Sequence, residues 1–216
     1  MIKFSKKEAV IFGWVTFKSN FWFYLGVIAT VGIISWLPEY MRSKLPENAR
    51  LIRNIYQLIG IVLSSVVTLG FIKIILNSVD KKKLQYSELF KNYRFILKYW
   101  LAEIIGGLIT VAGFFLFIIP GIILAIKFQF IDYFIIDKGQ GPIEAIKSSW
   151  EITRGIKWEL FVFGLLIIGI NLLGLLALGV GIIITYPVTT LAQAYVYRKL
   201  AKSNKKKTKV VIEKNV

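Results

Sequence analysis

Long apolar stretches alternate with short amphipathic ones along this chain. Six of the stretches are long enough, or nearly so, to cross the ~30 Å hydrocarbon core of a bilayer as helices. The predicted spans occupy residues 21–37, 51–76, 95–119, 122–136, 158–178 and 179–200. Three amphipathic helices are predicted before the first, third and fifth spans, at 5–18, 86–94 and 142–154. This pattern predicts an all-α, polytopic membrane protein with six transmembrane helices and interfacial amphipathic helices.

Prolines and glycines mark the predicted boundaries. Pro38 is expected to end the first span, and Pro120-Gly121 to form a tight turn between the third and fourth spans. Pro142 suits the first position of a helix, where the missing N–H costs nothing, and Gly155 suits a left-handed stop. Small residues spaced three or four apart predict close helix packing in the second and third spans: Gly60, Ser64 and Thr68, then Gly106, Thr110 and Gly113.

The amphipathic helices are expected to lie along the headgroup region. Ser5 and Glu8 match a capping box, in which each side chain satisfies a free N–H at the helix start. In the third of these helices the apolar side chains are predicted on one face and paired charges on the other. The apolar face comprises Ile143, Ile146, Trp150 and Thr153.

Composition supports a membrane location. Of the 216 residues 56% are hydrophobic and only 19% charged, and the mean hydropathy is +0.65. A soluble fold has too little interior to hide that much apolar surface. The chain has no Cys and no His, which removes thiol nucleophiles, disulfides, zinc-finger ligands and imidazole bases. With no nucleophile–base set and no cofactor motif, a non-enzymatic protein without a cofactor, metal site or catalytic residue is expected.

The distribution of charge predicts the topology. The net charge of +16 is concentrated in residues 1–20 (+3), 73–98 (+5) and 198–216 (+7), and the 38–53 loop carries +2. Basic segments favour the cytoplasmic side. A topology of six spans in the cell membrane, with both termini cytoplasmic, places all the strongly basic segments on the cytoplasmic side. Residues 201–216 lack an apolar pattern and are predicted to be a disordered basic tail.

Two of the interfacial helices share a residue pattern. Glu8-Ala9, Trp14, Lys18 and Trp22 recur at identical spacing as Glu144-Ala145, Trp150, Arg154 and Trp158. The middle segment, from Ser87-Glu88 to Trp100, matches only with a two-residue shift. A threefold repeat of interfacial helix plus transmembrane hairpin is one interpretation; the common occurrence of Trp and Lys at membrane interfaces is the other.

Charged residues inside the predicted spans need a partner or a purpose. Glu103 and Lys127 reach similar depth on adjacent spans, so they are expected to pair, with Asp132 as the rival partner of Lys127. This candidate polar network comprises Glu103, Lys127, Gln129, Asp132, Asn171 and Gln193. It serves either as a structural network that fixes helix register or as part of a proton, ion or substrate path.

Two groups of lysines are candidate contacts for anionic lipid headgroups: Lys81, Lys82 and Lys83, and Lys205, Lys206 and Lys207. No basic face with an aromatic platform is expected, which disfavours nucleic acid. The sequence therefore predicts a membrane scaffold or a lipid- and protein-interaction module, with a protein partner or a second copy of the chain as possible associates. The alternative is a small transporter or channel with Glu103, Lys127, Asp132 and Asn171 near its path.

The stretch IIPGIILAIKFQFIDYFIIDKGQGPIEAIKSSWEITRGIKWELF resembles a group of uncharacterised prokaryotic integral membrane proteins. Related sequence forms the membrane domain that precedes some glycerophosphoryl diester phosphodiesterases. The matching residues are Pro120-Gly121, Phe128, Asp137, Gly141, Ala145, Ser149, Gly155, Phe161, Pro187 and Tyr197. The resemblance implies a six-span membrane module. The catalytic barrel of the phosphodiesterases is not expected in these 216 residues, so no catalytic residue is carried over.

Overall fold

Every element of the described chain is helical. The computed structural model describes residues 4–177 and 179–214, with side chains described as far as residue 204. A short 3-10 turn, Tyr93–Phe95, precedes α5. The α-helices in chain order are α1 (Lys6–Ser19), α2 (Phe21–Ser43), α3 (Arg50–Val79), α4 (Glu88–Lys91), α5 (Ile96–Leu116), α6 (Ile118–Phe128), α7 (Ile131–Lys138), α8 (Pro142–Ile152), α9 (Lys157–Leu176) and α10 (Ile182–Lys214).

Five segments of the described chain are long and apolar enough to cross a membrane. They are Phe21–Ser43, Arg50–Val79, Glu88–Leu116, Ile118–Lys138 and Lys157–Leu176. They correspond to the first five predicted spans. The sixth predicted span, 179–200, overlaps the first part of α10. The apolar part of α10 is diluted by threonines and Gln193 and is followed closely by Arg198 and Lys199.

Two of the proline-based boundaries are wrong. Pro38 does not end the first span, because α2 continues through it to Ser43. Pro38 packs against Gly60 of α3, which has no side chain to obstruct the approach. The turn between α5 and α6 lies at Phe117, whose backbone is extended, and Pro120 falls in the first turn of α6. Proline is accepted there because the first N–H groups of a helix have no partner within it.

The fourth span is broken in the middle. Helix α6 ends at Phe128 and α7 begins at Ile131, so the backbone at the break needs polar partners from another element. Ser149 of α8 supplies a donor and an acceptor to this backbone. Its hydroxyl donates to the Lys127 carbonyl at 2.6 Å and accepts from the Phe130 N–H at 3.2 Å. Helix α8 therefore completes the broken span.

Helix α8 packs largely through small side chains. It buries Ala145, Ser149 and Ile152, and Thr153 immediately after it is also buried, whereas Ile143 and Trp150 of the predicted apolar face are exposed. A lipid surround removes the need to bury apolar side chains, and small residues permit close contact between helices. The predicted start and stop of this helix are confirmed: Pro142 is the first residue of α8, and Gly155, just after its end, has a left-handed φ of 83°.

The densely packed core lies at one end of the bundle. In α3 the buried residues begin at Ser65, and the first half of this helix is largely exposed. Most of α7 and the 188–200 part of α10 are also buried. We call this end, formed by α1, α8, the loop at 80–84 and the C-terminal part of α10, the basic end. The opposite halves of α2, α3, α5 and α9 expose apolar side chains, as helices surrounded by lipid do.

Helix α10 is longer than the predicted sixth span. It continues to Lys214, whereas the sequence predicts the end of the span at residue 200 and a disordered tail over 201–216. A helix that is already nucleated by packing propagates cheaply through lysine, which has good helix propensity. Residues 215–216 lie outside the described chain, as do the side chains of Lys205, Lys206 and Lys207.

Candidate functional site

Helix α3 ends at the basic end in a turn that presents three lysines. The Lys81 N–H donates to the Ser78 carbonyl at 3.1 Å, and the Lys82 N–H to the Asn77 carbonyl at 2.9 Å. This is the Schellman motif, whose left-handed position usually holds glycine. Here Lys81 occupies it, with φ of 55°, at a cost of about 1 kcal/mol. Lys81, Lys82 and Lys83 are all exposed.

The three lysines border an open groove of about 880 Å³. Its other walls are one face of α1, the start of α2 and Leu84. Apolar side chains dominate the floor, and Glu8 and the lysines stand at the rim. The apolar lining residues are Ile11, Phe12, Val15, Phe23 and Leu84. The groove thus combines an apolar floor with a cationic edge, as the interface between a headgroup and an acyl chain requires.

Close packing on α10 holds α1 in place as a wall of the groove. Ala9, Gly13 and Phe17 are buried along one stripe of α1, and Gly13 lies against the Val188 backbone carbonyl. The Phe12 ring stacks on Tyr195 at 4.8 Å between centroids. A side chain at position 13 would separate these two helices.

Glu8 adds polar contacts between α1 and α10. Its carboxylate accepts from the Tyr195 hydroxyl at 2.5 Å and from Lys199 Nζ at 3.1 Å. The bond from Tyr195, followed by that from Lys199, holds the pKa of the Glu8 carboxyl below its ordinary value. Only half of the predicted capping box forms. Ser5 accepts from the Glu8 N–H, while the Glu8 side chain turns to α10.

Arg198 joins three helices beside the groove. Its guanidinium lies 2.7 Å from Asp80 Oδ2, after the end of α3, and 2.6 Å from Asp137 Oδ2, near the end of α7. The Tyr197 hydroxyl donates to the same Asp137 oxygen at 2.9 Å, and Lys138 Nζ lies 2.7 Å from it. Because Asp80 immediately precedes the lysines, this cluster also fixes the turn that presents them.

The predicted polar network separates into local contacts. Lys127 does not pair with Glu103. Its ammonium lies over the face of the Trp150 ring, and the Glu103 carboxyl faces Asp132 instead. Asn171 of α9 exchanges hydrogen bonds with Thr189 of α10 at 3.1 and 3.3 Å.

The two glutamines belong to no shared network in the described contacts. Gln129 donates to the Ile126 carbonyl within its own segment. Gln193 is half-buried on α10. Helical spacing alone could not show which way each polar side chain turns.

Three residues with clear roles at the basic end were not among the predicted site residues: Arg198, Asp80 and Ser149. Nothing in the local pattern around Arg198 distinguishes it from the basic residues that follow. Asp137, Tyr197 and Ser149 do appear among the residues that carry the family resemblance. Their presence in that set was the one indication in the sequence that these three residues matter to the fold.

Comparison with known proteins gives a family for this architecture. The model of a family described as "Domain of unknown function (DUF7847)" matches residues 21–211, which includes every described helix beyond α1 for all or nearly all of its length. The chain belongs to the DUF7847 family. The match includes the helix break, the Arg198 cluster and the lysine turn, so these features lie within the family domain.

Curated relatives match a smaller part of the chain. Uncharacterized protein Rv2560 of Mycobacterium tuberculosis and uncharacterized protein Mb2590 of Mycobacterium bovis are each 33% identical over 102 residues. The match covers 45% of this chain and 31% of the relative. The chain thus spans about a third of the length of these relatives. No solved structure matches.

Proposed function

We propose that this protein is a non-enzymatic membrane module that binds anionic phospholipid at its basic end. The groove between α1, the start of α2 and the lysine turn carries this proposal. Its apolar floor suits an acyl chain, and Lys81, Lys82 and Lys83 suit a phosphate. The left-handed Lys81 adds support, because glycine would fit the backbone of the turn at lower cost.

The proposed topology has six spans with both termini cytoplasmic. Glu8 at the start of the chain contacts Lys199 near its end, so both lie on the same side of the bundle. An even number of crossings between them is therefore favoured, and the 182–200 part of α10 supplies the sixth. Because the basic segments meet at this end, the positive-inside tendency favours the cytoplasmic side of the cell membrane.

A repeated unit is also proposed for the first and third hairpins. Helices α1 and α2 begin at residues 6 and 21, and α8 and α9 at residues 142 and 157, which is the same spacing. Equivalent positions in the two units are buried alike. The buried pairs are Ala9 and Ala145, Gly13 and Ser149, and Phe17 and Thr153. Trp22 and Trp158 are both strongly exposed. The middle unit fits less well, because α4 has only four residues.

The transporter alternative receives less support from the geometry. It requires Glu103, Lys127, Asp132 and Asn171 to line a common path. Lys127 instead covers Trp150, and Asn171 is bonded to Thr189. The link to phosphodiesterase membrane domains likewise stays a proposal that rests on the resemblance of the 118–161 stretch.

The lipid proposal is tested with the full chain reconstituted in phosphatidylcholine bilayers. Spin-labelled phosphatidylglycerol and phosphatidylcholine report the preference for anionic lipid at the protein surface. Replacing Lys81, Lys82 and Lys83 with Gln is expected to lower that preference at least fivefold, since each lysine near the surface contributes about 1 kcal/mol.

A matched control removes three positive charges at the other end of the bundle. Replacing Lys44, Arg50 and Arg53 with Gln is expected to change the preference less than twofold. The lipid proposal fails if the lysine-turn variant keeps its preference, or if both variants lose it equally. Equal losses would show that net charge alone attracts the lipid.

A further inference from the structure

The break between α6 and α7 places a carboxylic acid inside the bundle. Asp132 lies in the first turn of α7, immediately after the break. Interrupted helices within a membrane occur where the freed backbone is covered by protein or lines a binding site. Ser149 covers the backbone at Lys127 and Phe130, but it does not contact the Asp132 side chain in the described structure.

A second carboxylic acid faces Asp132 from α5. Glu103 lies on the adjacent helix, three residues before Gly106, which packs against Ile131 beside Asp132, and the Glu103 and Asp132 carboxyl groups interact. Asp132 Oδ1 is shielded from solvent and has no hydrogen-bond partner among the described residues. Two ionised carboxylates side by side away from water repel strongly, whereas one shared proton removes the repulsion and supplies a donor.

The groups around the pair offer no positive charge. Besides Glu103, the titratable groups that interact with Asp132 within the described structure are the phenols of Tyr99 on α5 and Tyr133 on α7, and the phenol of Tyr186 on α10 interacts with these two. The nearby cation Lys127 lies over Trp150 instead. No group of three acidic, His or Cys side chains that would hold a metal ion occurs among the described residues.

Glu103 connects the pair to the outside of the bundle. It is exposed on α5 about 10 Å along the helix from Ile96. The residues that flank it along α5, Leu101 and Ile104, are also exposed, so this part of the helix lies at the outside of the bundle. The Glu103 carboxyl group is thus accessible from the hydrocarbon, whereas the Asp132 carboxyl group lies inside the bundle.

We propose that Glu103 and Asp132 form a proton-binding site within the membrane, with one exchangeable proton held between the two carboxyl groups. The ligand is a proton rather than a metal cation, because two carboxyls and phenols give too few oxygens to replace the hydration shell of a metal. The site is separate from the lipid groove and does not depend on it.

The test uses dicyclohexylcarbodiimide, an apolar reagent that reaches carboxyl groups from lipid. It consumes the acid form. The acid's proton goes to a carbodiimide nitrogen and its oxygen bonds the central carbon, and the resulting O-acylisourea rearranges to a stable N-acylurea. The full chain in phosphatidylcholine vesicles is treated over a range of pH, and the adduct is located by peptide mass spectrometry.

The expected result is a single major adduct on Glu103 that diminishes as the pH rises. Glu103→Gln should reduce labelling at least tenfold, while the matched variant Glu159→Gln on α9 should leave it unchanged. Asp132→Asn should keep the adduct but change its pH midpoint, since the two carboxyl groups no longer share a proton. Circular dichroism of each variant confirms that it is folded.

Three results overturn the proposal. The first is an absence of labelling on Glu103 at every pH in the folded wild type. The second is an unchanged pH midpoint of the Glu103 adduct in folded Asp132→Asn. If Asp132→Asn does not fold, Asp132→Glu, which keeps a carboxyl group at this position, replaces it. Loss of the Glu103 adduct in Asp132→Glu would then count against the pair. The third is protection of Glu103 by sodium or lithium ions at constant pH, which would assign the site to a metal cation.

Discussion

The Ser149 hydroxyl donates to the Lys127 carbonyl at 2.6 Å across the broken fourth span. The same oxygen accepts from the Phe130 N–H, and the Ser149 side chain is fully buried. A single hydroxyl on α8 therefore satisfies two backbone groups at the break. The fold of the transmembrane segment depends on a residue outside it.

Ser149→Ala is expected to lower the free energy of unfolding by about 2 kcal/mol, because a buried donor and a buried acceptor lose their partner. Thermal unfolding in detergent micelles measures this. Ser148→Ala, one residue away and half-buried, is the control and should change stability by less than about 0.5 kcal/mol. Equal stability of the two variants would show that water or a backbone shift replaces the hydroxyl.

Arg198→Met is expected to destabilise the protein by about 2 kcal/mol, since the half-buried Asp80 and Asp137 carboxylates would lose the guanidinium that joins them. Asp137 would keep Lys138 and Tyr197 as partners, and Asp80 only the more distant Lys82. The matched change Arg94→Met removes an exposed arginine and should have little effect. Asp80→Asn combined with Asp137→Asn should recover much of the loss in the Arg198→Met background. Strict additivity of the changes would contradict a coupled cluster.

Gly13→Ala is expected to loosen α1, because the added methyl group would meet the Val188 carbonyl on α10. The same change at Gly107 on α5 has open space around it and should stabilise the helix by about 0.5–1 kcal/mol. Hydrogen exchange of the α1 amides measures the difference. Faster exchange of α1 in Gly13→Ala alone is the predicted pattern, and unchanged protection would mean that the helices separate slightly without cost.

Lys81→Gly should leave stability unchanged or raise it by up to about 1 kcal/mol, because glycine fits the left-handed backbone at that position. Lys82→Gly, whose backbone is not left-handed, should instead be neutral or destabilising. Denaturant or thermal unfolding of the two variants in micelles gives the comparison. A greater loss of stability at position 81 than at 82 would show that the Lys81 side chain itself holds the turn.

Acid should weaken the contact between α1 and α10 through Glu8. Its pKa in the folded protein is lowered by Tyr195 and Lys199, so this contribution is present above the ordinary glutamate pKa and is lost as the pH falls through the folded value. Trp14 fluorescence on α1, measured in a background in which the other five tryptophans are replaced with Phe, reports the change. In Glu8→Gln the fluorescence should no longer titrate below about pH 5, and an identical titration in that variant would assign the effect to another carboxyl.

Hydropathy predicted the elements better than it predicted their packing. The lengths of the apolar stretches located five spans and the positions of α1 and α8, because bilayer dimensions constrain them directly. Pro38 and Pro120 were both predicted to end or interrupt a helix, and both lie inside one. The Pro38 ring fits against Gly60 of the neighbouring helix α3, and Pro120 lies in the first turn of α6, where its missing N–H costs nothing. The Glu103–Lys127 pair was wrong because depth along two helices says nothing about rotation around them, and Lys127 had an aromatic alternative in Trp150.

The length of α3 has a consequence for the membrane around the protein. Its thirty residues extend about 45 Å, which exceeds the ~30 Å hydrocarbon core. One end is anchored by Arg198 through Asp80, so the opposite end absorbs the hydrophobic mismatch by tilting or by emerging into the headgroups. Bilayers of different thickness should therefore change the tilt of α3 and move the hairpin it forms with α2, while the basic end keeps its structure.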